Sequence, residues 1–131
     1  MNVLVTGANG FVGKNFLVHL SERTDVNVVT FTRQNSIEEL PGLVENVDIV
    51  FHLAGVNRLK DDEEFTEGNV ELTNSLCEVL MQAENNPLVV YSSSIQAELD
   101  NPYGKSKKEA EDVIHSYAEE TGSSCYIFRL P

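Results

Sequence analysis

Tyr103 and Lys107 stand four positions apart in the segment Asn101-Pro102-Tyr103-Gly104-Lys105-Ser106-Lys107. On a helix that spacing puts both side chains on one face, a turn apart. A free tyrosine titrates near pH ~10 and is a weak acid/base at neutral pH. A neighbouring ammonium favours the phenolate and brings that value down. The pair is therefore suited to giving a proton to a carbonyl oxygen while a hydride arrives at its carbon. Upstream, Ser92-Ser93-Ser94 offers a hydroxyl that could polarise the same carbonyl. Each signal alone is weak, since the Tyr-x3-Lys spacing arises by chance and a serine run after a strand is otherwise a loop.

A hydride needs a carrier, and the N-terminus offers a place to bind one. Gly7-Ala8-Asn9-Gly10-Phe11-Val12-Gly13 spaces its glycines as G-x-x-G-x-x-G, after an apolar strand and at the start of a helical pattern. In that context Gly7 makes the tight turn, Gly10 lets backbone approach a pyrophosphate, and Gly13 lets helix and strand pack closely. Amides at the helix start then face the phosphates. The end of the second strand separates NAD from NADP: an acid there grips the adenosine ribose hydroxyls, an arginine accommodates a 2′-phosphate. Here the residues are Thr30-Phe31-Thr32-Arg33, with no acid. Arg33 can pair with phosphate through charge-assisted hydrogen bonds, so NADP is expected over NAD; the alternative is a solvated surface arginine.

These groups need a scaffold, and the pattern supplies one. Apolar or β-branched runs at 3–6, 27–32, 49–53, 88–92 and 125–130 predict strands. Helices are expected from Phe11 to about Leu20 with Val12, Phe16 and Leu20 in phase, and from Asp62 to about Glu84 with Val70, Thr73, Cys77, Leu80 and Met81 on one face. A third runs from Tyr103 to Glu120, with Lys107, Ala110, Ile114 and Tyr117 along one side and Gly122 as its stop. A short helix capped by Asn35 or Ser36 fits before Asp48. Alternating strands and helices predict an α/β fold with a doubly wound, Rossmann-like parallel sheet. Such a fold binds its ligand at the carboxyl ends of the strands, where the glycine loop, Arg33, Ala54-Gly55 and the serines all fall.

The chain has 131 residues and a formal net charge of −12. Such acidity argues against a nucleic-acid partner, which needs a basic surface. The run Asp61-Asp62-Glu63-Glu64 reads as a solvated helix start rather than a metal site. No apolar run approaches the roughly 20 residues that span a bilayer, and Met1-Asn2-Val3-Leu4-Val5 enters a strand with no signal-peptide pattern. Cys77 and Cys125 read as buried free thiols more readily than as a disulfide. A cytoplasmic protein without a membrane partner is expected.

Taken together, Val5-Thr6-Gly7-Ala8-Asn9-Gly10-Phe11-Val12-Gly13, His52-Leu53-Ala54-Gly55, Gly68-Asn69-Val70, Tyr91-Ser92-Ser93-Ser94 and Pro102-Tyr103-Gly104-Lys105-Ser106-Lys107 resemble the extended short-chain dehydrogenase/reductase family, which includes nucleotide-sugar epimerases, dehydratases and reductases. The segments occur in family order and cover almost the whole chain. The resemblance implies Tyr103 as acid/base, Lys107 as the residue that binds the nicotinamide ribose and lowers the Tyr103 pKa, and Ser94 as the substrate-orienting hydroxyl. It also implies that Ala54 and Gly55 line the cofactor, and that Asn69 matches the family's asparagine on the central helix. The cofactor-facing set is then Gly7, Asn9, Gly10, Phe11, Val12, Gly13, Arg33, Leu53, Ala54, Gly55, Tyr103 and Lys107. His52, among apolar neighbours, reads as a satisfied structural histidine.

Two departures from the family pattern stand out. Only fourteen residues separate Arg33 from Asp48, which leaves little room for the family's usual extra strand and its adenine-contacting acid. The interval from Ser94 to Tyr103 is also short. Residues 1–131 are expected to be one NAD(P)-binding domain, the N-terminal part of a longer family fold, truncated before the substrate-binding region. Ile95-Gln96 stands where dehydratases place acids. Together with His52 to Arg58 and Asn101 to Gly104, it makes the chain look most like bacterial capsular-polysaccharide reductases. That resemblance implies reduction of the 4-keto group of a UDP-linked deoxy amino sugar with NADPH. A nucleotide-sugar 4-epimerase and a non-enzymatic NADP-binding module are the rivals, and a homo-oligomer remains an open option.

Overall fold

In the computed structural model, which describes residues 1–55 and 66–131, five strands form one parallel sheet. They are β1 (Asn2–Thr6), β2 (Asn27–Phe31), β3 (Ile49–His52), β4 (Leu88–Ser94) and β5 (Cys125–Leu130), in the order β2-β1-β3-β4-β5. Val3, Leu4 and Val5 are all buried, as expected of a parallel strand covered on both faces. Register aligns Leu4 with Val50, Val50 with Val89 and Val89 with Cys125, so these residues share one face of the sheet.

Helices cover both faces. On one side α2 (Leu40–Val44), α3 (Leu72–Gln82) and α4 (Pro102–Thr121) bury Leu40, Leu76, Leu80, Ile114 and Tyr117 against Leu4, Val50, Val89 and Tyr91. On the other, α1 (Phe11–Ser21) packs Phe16, Leu17 and Leu20 against Val3, Val5 and Phe51. Alternate strand residues point to opposite faces, so β5 turns Cys125 and Ile127 toward α4 and leaves Tyr126, Phe128 and Leu130 exposed.

The connection from β2 to β3 is short. A 3-10 turn, Ile37–Glu39, is closed by a capping box between Ser36 and Glu39 and leads into α2. No strand lies between β2 and β3 among the described residues, so β2 is the sheet edge. This is the trimming that the short interval from Arg33 to Asp48 predicts.

Helix α4 has the ends expected of it. The Asn101 side chain accepts from the Gly104 amide at 2.7 Å, Pro102 opens the helix, and Gly122 closes it in the left-handed conformation with φ 74°. Lys107, Ala110, Ile114 and Tyr117 are buried along it, joined by Glu111.

Several expectations need correction. Val12 and Met81 are exposed, because the inward stripes run through Phe16, Leu17 and Leu20 on α1 and through Thr73, Leu76, Cys77 and Leu80 on α3. Strand β4 continues two residues past Ser92 to Ser94 and passes into a 3-10 turn, Ile95–Glu98. Leu53 follows β3 rather than ending it. A π-type turn, Thr66–Glu71, precedes α3; the acidic run, the segment Val56-Asn57-Arg58 and the expected helix start at Asp62 lie outside the described residues. Cys77 and Cys125 are free, Cys77 buried and Cys125 half-buried. Among the described residues no helix is long and apolar enough to cross a membrane.

Candidate functional site

The strand order reverses between β1 and β3, and a cavity opens at their carboxyl ends. It measures about 720 Å³, within the range of sites for organic ligands. Gly7, Asn9, Gly10, Arg33, Leu53, Ala54 and Gly55 all line it. A parallel sheet puts such a crevice where neighbouring connections leave on opposite faces.

Gly7 shows why the loop needs glycine. Its φ is +69°, and a Cβ built on it would lie 2.5 Å from the Ala54 amide nitrogen. Its own amide donates to the Phe31 carbonyl at 3.2 Å, so the loop is drawn down between β2 and the end of β3. Gly13 packs as closely, since a Cβ there would fall 2.1 Å from the Gly7 carbonyl oxygen. The N-cap of α1 is Gly10, and no side chain caps the first-turn amides. Those amides and the helix dipole suit an anion. Phe11 and Val12, in that first turn, have exposed side chains and do not line the cavity; what they can offer it is backbone.

Arg33 sits on a pinned turn. The Asn35 amide donates to the Thr32 carbonyl at 3.0 Å, and the Thr32 amide donates back to Asn35 Oδ1 at 2.8 Å. Arg23 and Arg129 form ion pairs with carboxylates, whereas Arg33 forms none among the described residues. An exposed, unpaired guanidinium on the cavity wall matches a phosphate ligand. Thr32, Asn35, Ile37 and Leu72 also line the cavity and were not expected from the sequence. The Thr-x-x-Asn spacing of Thr32 and Asn35 is the signal that could have marked the turn.

The second cluster adjoins the first through Gly55. A Cβ on Gly55 would lie 3.0 Å from Asn69 Oδ1 and 3.1 Å from Lys107 Nζ. Lys107 is buried, and its ammonium donates to the Ser92 carbonyl at 2.9 Å and to Tyr91 Oη at 3.2 Å. It also lies 4.8 Å from the centre of the Tyr91 ring. Burial pulls Lys107 down to about 8, against the upward pull of Glu111. Burial pushes the Tyr91 phenol up, and Tyr103 and Glu111 add to that, so Tyr91 stays protonated.

Tyr103 is half-buried in the first turn of α4. Its carbonyl accepts from Ser106 Oγ at 2.7 Å, and Ser106 Oγ in turn accepts from Asn69 Nδ2 at 2.9 Å. Gly104 lets this turn settle onto the 3-10 turn after β4, since a Cβ there would fall 2.0 Å from the Gln96 carbonyl oxygen. Ser94 is buried, and its Oγ accepts from the Gln96 amide at 3.1 Å. The fold thus brings Ser94, Tyr103 and Lys107 to the carboxyl end of β4, next to the cavity that holds the glycine loop and Arg33.

The fold agrees with known proteins. The sequence profile of the NAD dependent epimerase/dehydratase family matches residues 3–131. A UDP-2-acetamido-2,6-beta-L-arabino-hexul-4-ose reductase of Pseudomonas aeruginosa is 53% identical over 131 residues, which is 100% of this chain and 35% of that protein. The capsular polysaccharide assembling protein CapF of Staphylococcus aureus superposes with a TM-score of 0.85 at 41% identity, over 100% of this chain and 34% of its own. MoeE5, solved in complex with UDP-glucose and NAD, superposes with a TM-score of 0.83 at 26% identity, covering 97% of this chain and 52% of its own. The chain spans about a third of the reductase and of CapF. It belongs to the NAD dependent epimerase/dehydratase family.

Proposed function

We propose that this chain is the cofactor-binding part of an NADPH-dependent reductase that acts on the 4-keto group of a UDP-linked deoxy amino sugar in surface polysaccharide biosynthesis. The observation that carries the reading is the position of Lys107. Its ammonium lies 3.1 Å from where a Cβ on Gly55 would stand, Gly55 lines the cavity, and Lys107 is one helical turn from Tyr103. A binding module needs the cavity but not that pairing. The substrate class follows the 53% identity to the Pseudomonas aeruginosa reductase.

NADPH fits the residues present: the close-packed glycine loop, the uncapped first turn of α1 and the unpaired Arg33 form a cradle for its phosphates. When bound, it supplies the hydride. Tyr103 gives the proton to the sugar's carbonyl oxygen, Lys107 favours the charged form of that phenol, and the Ser94 hydroxyl orients the same oxygen. Asn69 holds the Tyr103 turn through Ser106.

The test is to mix the full-length protein with NADPH and the 4-keto-6-deoxy UDP-sugar and follow absorbance of the reduced nicotinamide. Stoichiometric consumption of NADPH supports the reductase. Sugar conversion without net consumption points to a 4-epimerase, and binding without turnover points to a non-enzymatic module.

A further inference from the structure

We propose that Glu111, paired with Arg129, is a positioning residue for this reaction: it sets Ser94 against the Tyr103–Lys107 helix and supplies the counter-charge to the buried Lys107 ammonium. The proposal rests on the roles given above to Ser94, Tyr103 and Lys107.

Glu111 is as buried as a core residue, 3% exposed, yet carries a full set of partners. Ser93 Oγ donates to Oε2 at 2.5 Å. Arg129 clasps the carboxylate from β5, with Nε 3.0 Å from Oε2 and Nη2 2.8 Å from Oε1. The remaining Arg129 nitrogen, Nη1, reaches Glu98 Oε1 at 2.9 Å. Glu98 belongs to the 3-10 turn that Ser94 caps. Ser94 is therefore bracketed: Ser93, just before it, is tied to Glu111, and Glu98, at the far end of the turn it caps, is tied to the arginine that holds Glu111.

Helix α4 grips the same strand twice. Lys107 and Glu111 are four residues apart on its buried face, so their side chains are neighbours. Lys107 holds the Ser92 carbonyl and Glu111 the Ser93 hydroxyl. These two contacts fix the register between the helix carrying Tyr103 and the strand carrying Ser94. A buried ion pair gives little net stability, because desolvation offsets its attraction. What it holds in place is the better account of its presence.

The electrostatics point the same way. Lys107 faces the Tyr91 phenol from β4, the neutral His52 from β3 and Glu111 from its own helix, with Tyr103 close to Tyr91. Tyr91 remains protonated and His52 neutral, and Glu111 supplies the negative charge beside Lys107. Burial pushes the Glu111 carboxyl up, but the hydrogen bonds from Arg129 and Ser93 outweigh it, aided by Arg129 and Lys108 charge, and hold it below the usual range. The carboxylate is thus kept charged beside a lysine that burial would otherwise neutralise.

The experiment is a carbon-13 NMR titration of the lysine Cε signals in the full-length protein, which needs no substrate, together with the pH profile of kcat/KM. In Glu111→Gln the Lys107 midpoint is expected to fall by about one pH unit, the low end for loss of a nearby opposite charge. Glu111→Asp keeps the charge and should hold the midpoint close to wild type. The alkaline limb of kcat/KM should move with the midpoint, with kcat reduced and the NADPH dissociation constant little changed. The double variant Glu111→Leu/Arg129→Met removes the pair without stranding a charge and should lower the midpoint as well, which keeps the test open if Glu111→Gln does not fold. An unmoved Lys107 midpoint in the folded variants, or Glu111→Asp behaving like Glu111→Gln, overturns the proposal. Absence of turnover in wild type with the expected midpoint shift in the variants would count against the reductase reading and leave the Glu111–Lys107 coupling standing.

Discussion

His52 Nδ1 lies 2.7 Å from Thr6 Oγ1, and the bonds on either side fix the direction of this contact. The Ala54 amide donates to Thr6 Oγ1 at 3.1 Å, so the Thr6 hydroxyl is free to donate onward to His52 Nδ1. On the far side Thr73 Oγ1 donates to the Asn69 carbonyl at 2.6 Å, so it accepts from His52 Nε2 at 2.8 Å. The ring is therefore neutral with its proton on Nε2. It links the cavity wall at Ala54 to Asn69, and Asn69 links through Ser106 to the carbonyl of Tyr103.

Burial, with a smaller contribution from Lys107, pushes His52 down to about 3. The unfolded chain binds a proton on this histidine near its ordinary value of about 6.5, so the unfolded state holds the extra proton between the two values. Stability should fall as pH drops through that window, with a limiting slope of about 1.4 kcal/mol per pH unit. Nitrogen-15 NMR should show the Nε2–H form unchanged at mildly acidic pH, and denaturant melts of His52→Gln should lose this part of the acid dependence. A charged His52 at pH 6 in the folded protein contradicts the network.

Lys107 titrates at about 8, and the sign of its effect differs between turnover and stability. In the proposed reaction turnover needs the ammonium, so kcat/KM should decline as pH rises through that value. Stability runs the other way. The folded value lies below the ordinary lysine value of about 10.4, so the unfolded chain binds more protons in between and stability rises with pH there. Lys107→Met should abolish that rise. Tyr103→Phe should leave NADPH binding nearly intact and cost roughly 10²–10⁴-fold in kcat, the usual worth of a general acid. Stopped-flow binding and steady-state rates measure the two separately, and near-normal kcat in Tyr103→Phe would identify another group as the proton donor.

Arg33 is exposed and unpaired among the described residues, on the cavity wall beside Thr32 and Asn35. The full-length protein should bind NADPH more tightly than NADH, and Arg33→Ala should narrow the gap by about 1.5–3 kcal/mol, the worth of a hydrogen bond to a charged group. Calorimetry with both nucleotides checks this. Because Arg33 contributes to no core or ion pair among the described residues, thermal stability should change little in the same variant.

Much of this arrangement was legible in the sequence because it rests on local rules. Periodicity marked the strands, the glycine spacing marked the β1–α1 turn, and four-residue spacing put Lys107 on the buried face of α4 with Ala110 and Ile114. What stayed hidden depends on partners far apart along the chain. Glu111 reads as one more helix acid until β5 brings Arg129 to it across 18 residues. His52 reads as a strand-end histidine until Thr6 and Thr73 arrive from 46 and 21 residues away. Met81 neighbours the Cys77–Leu80 stripe in sequence, yet the helix turns it outward. The turn that places Asn35 and Ile37 on the cavity wall is short-range, and the Thr-x-x-Asn spacing carries its bond between Thr32 and Asn35.

The exposed row on β5 is a surface for self-association. Tyr126, Phe128 and Leu130 are 55%, 56% and 38% exposed, and they lie on the face that α1 covers only over β1, β2 and β3. They sit on an edge strand whose outer backbone groups have no strand partner among the described residues. An apolar row on an open edge is a template for association. A preparation of residues 1–131 alone should therefore self-associate with rising concentration, and Tyr126→Lys/Phe128→Lys should reduce that without unfolding the sheet, because neither side chain belongs to the buried core. Positioning supplies much of a catalyst's advantage, and the chain spans about a third of the reductase it resembles. The same preparation should then bind NADPH weakly and fail to reduce the 4-keto UDP-sugar, whereas the full-length protein turns it over. Light scattering against concentration and a side-by-side assay measure both halves of this claim. A monodisperse, active preparation of residues 1–131 would refute it and show that these residues already hold the sugar as well as the nucleotide.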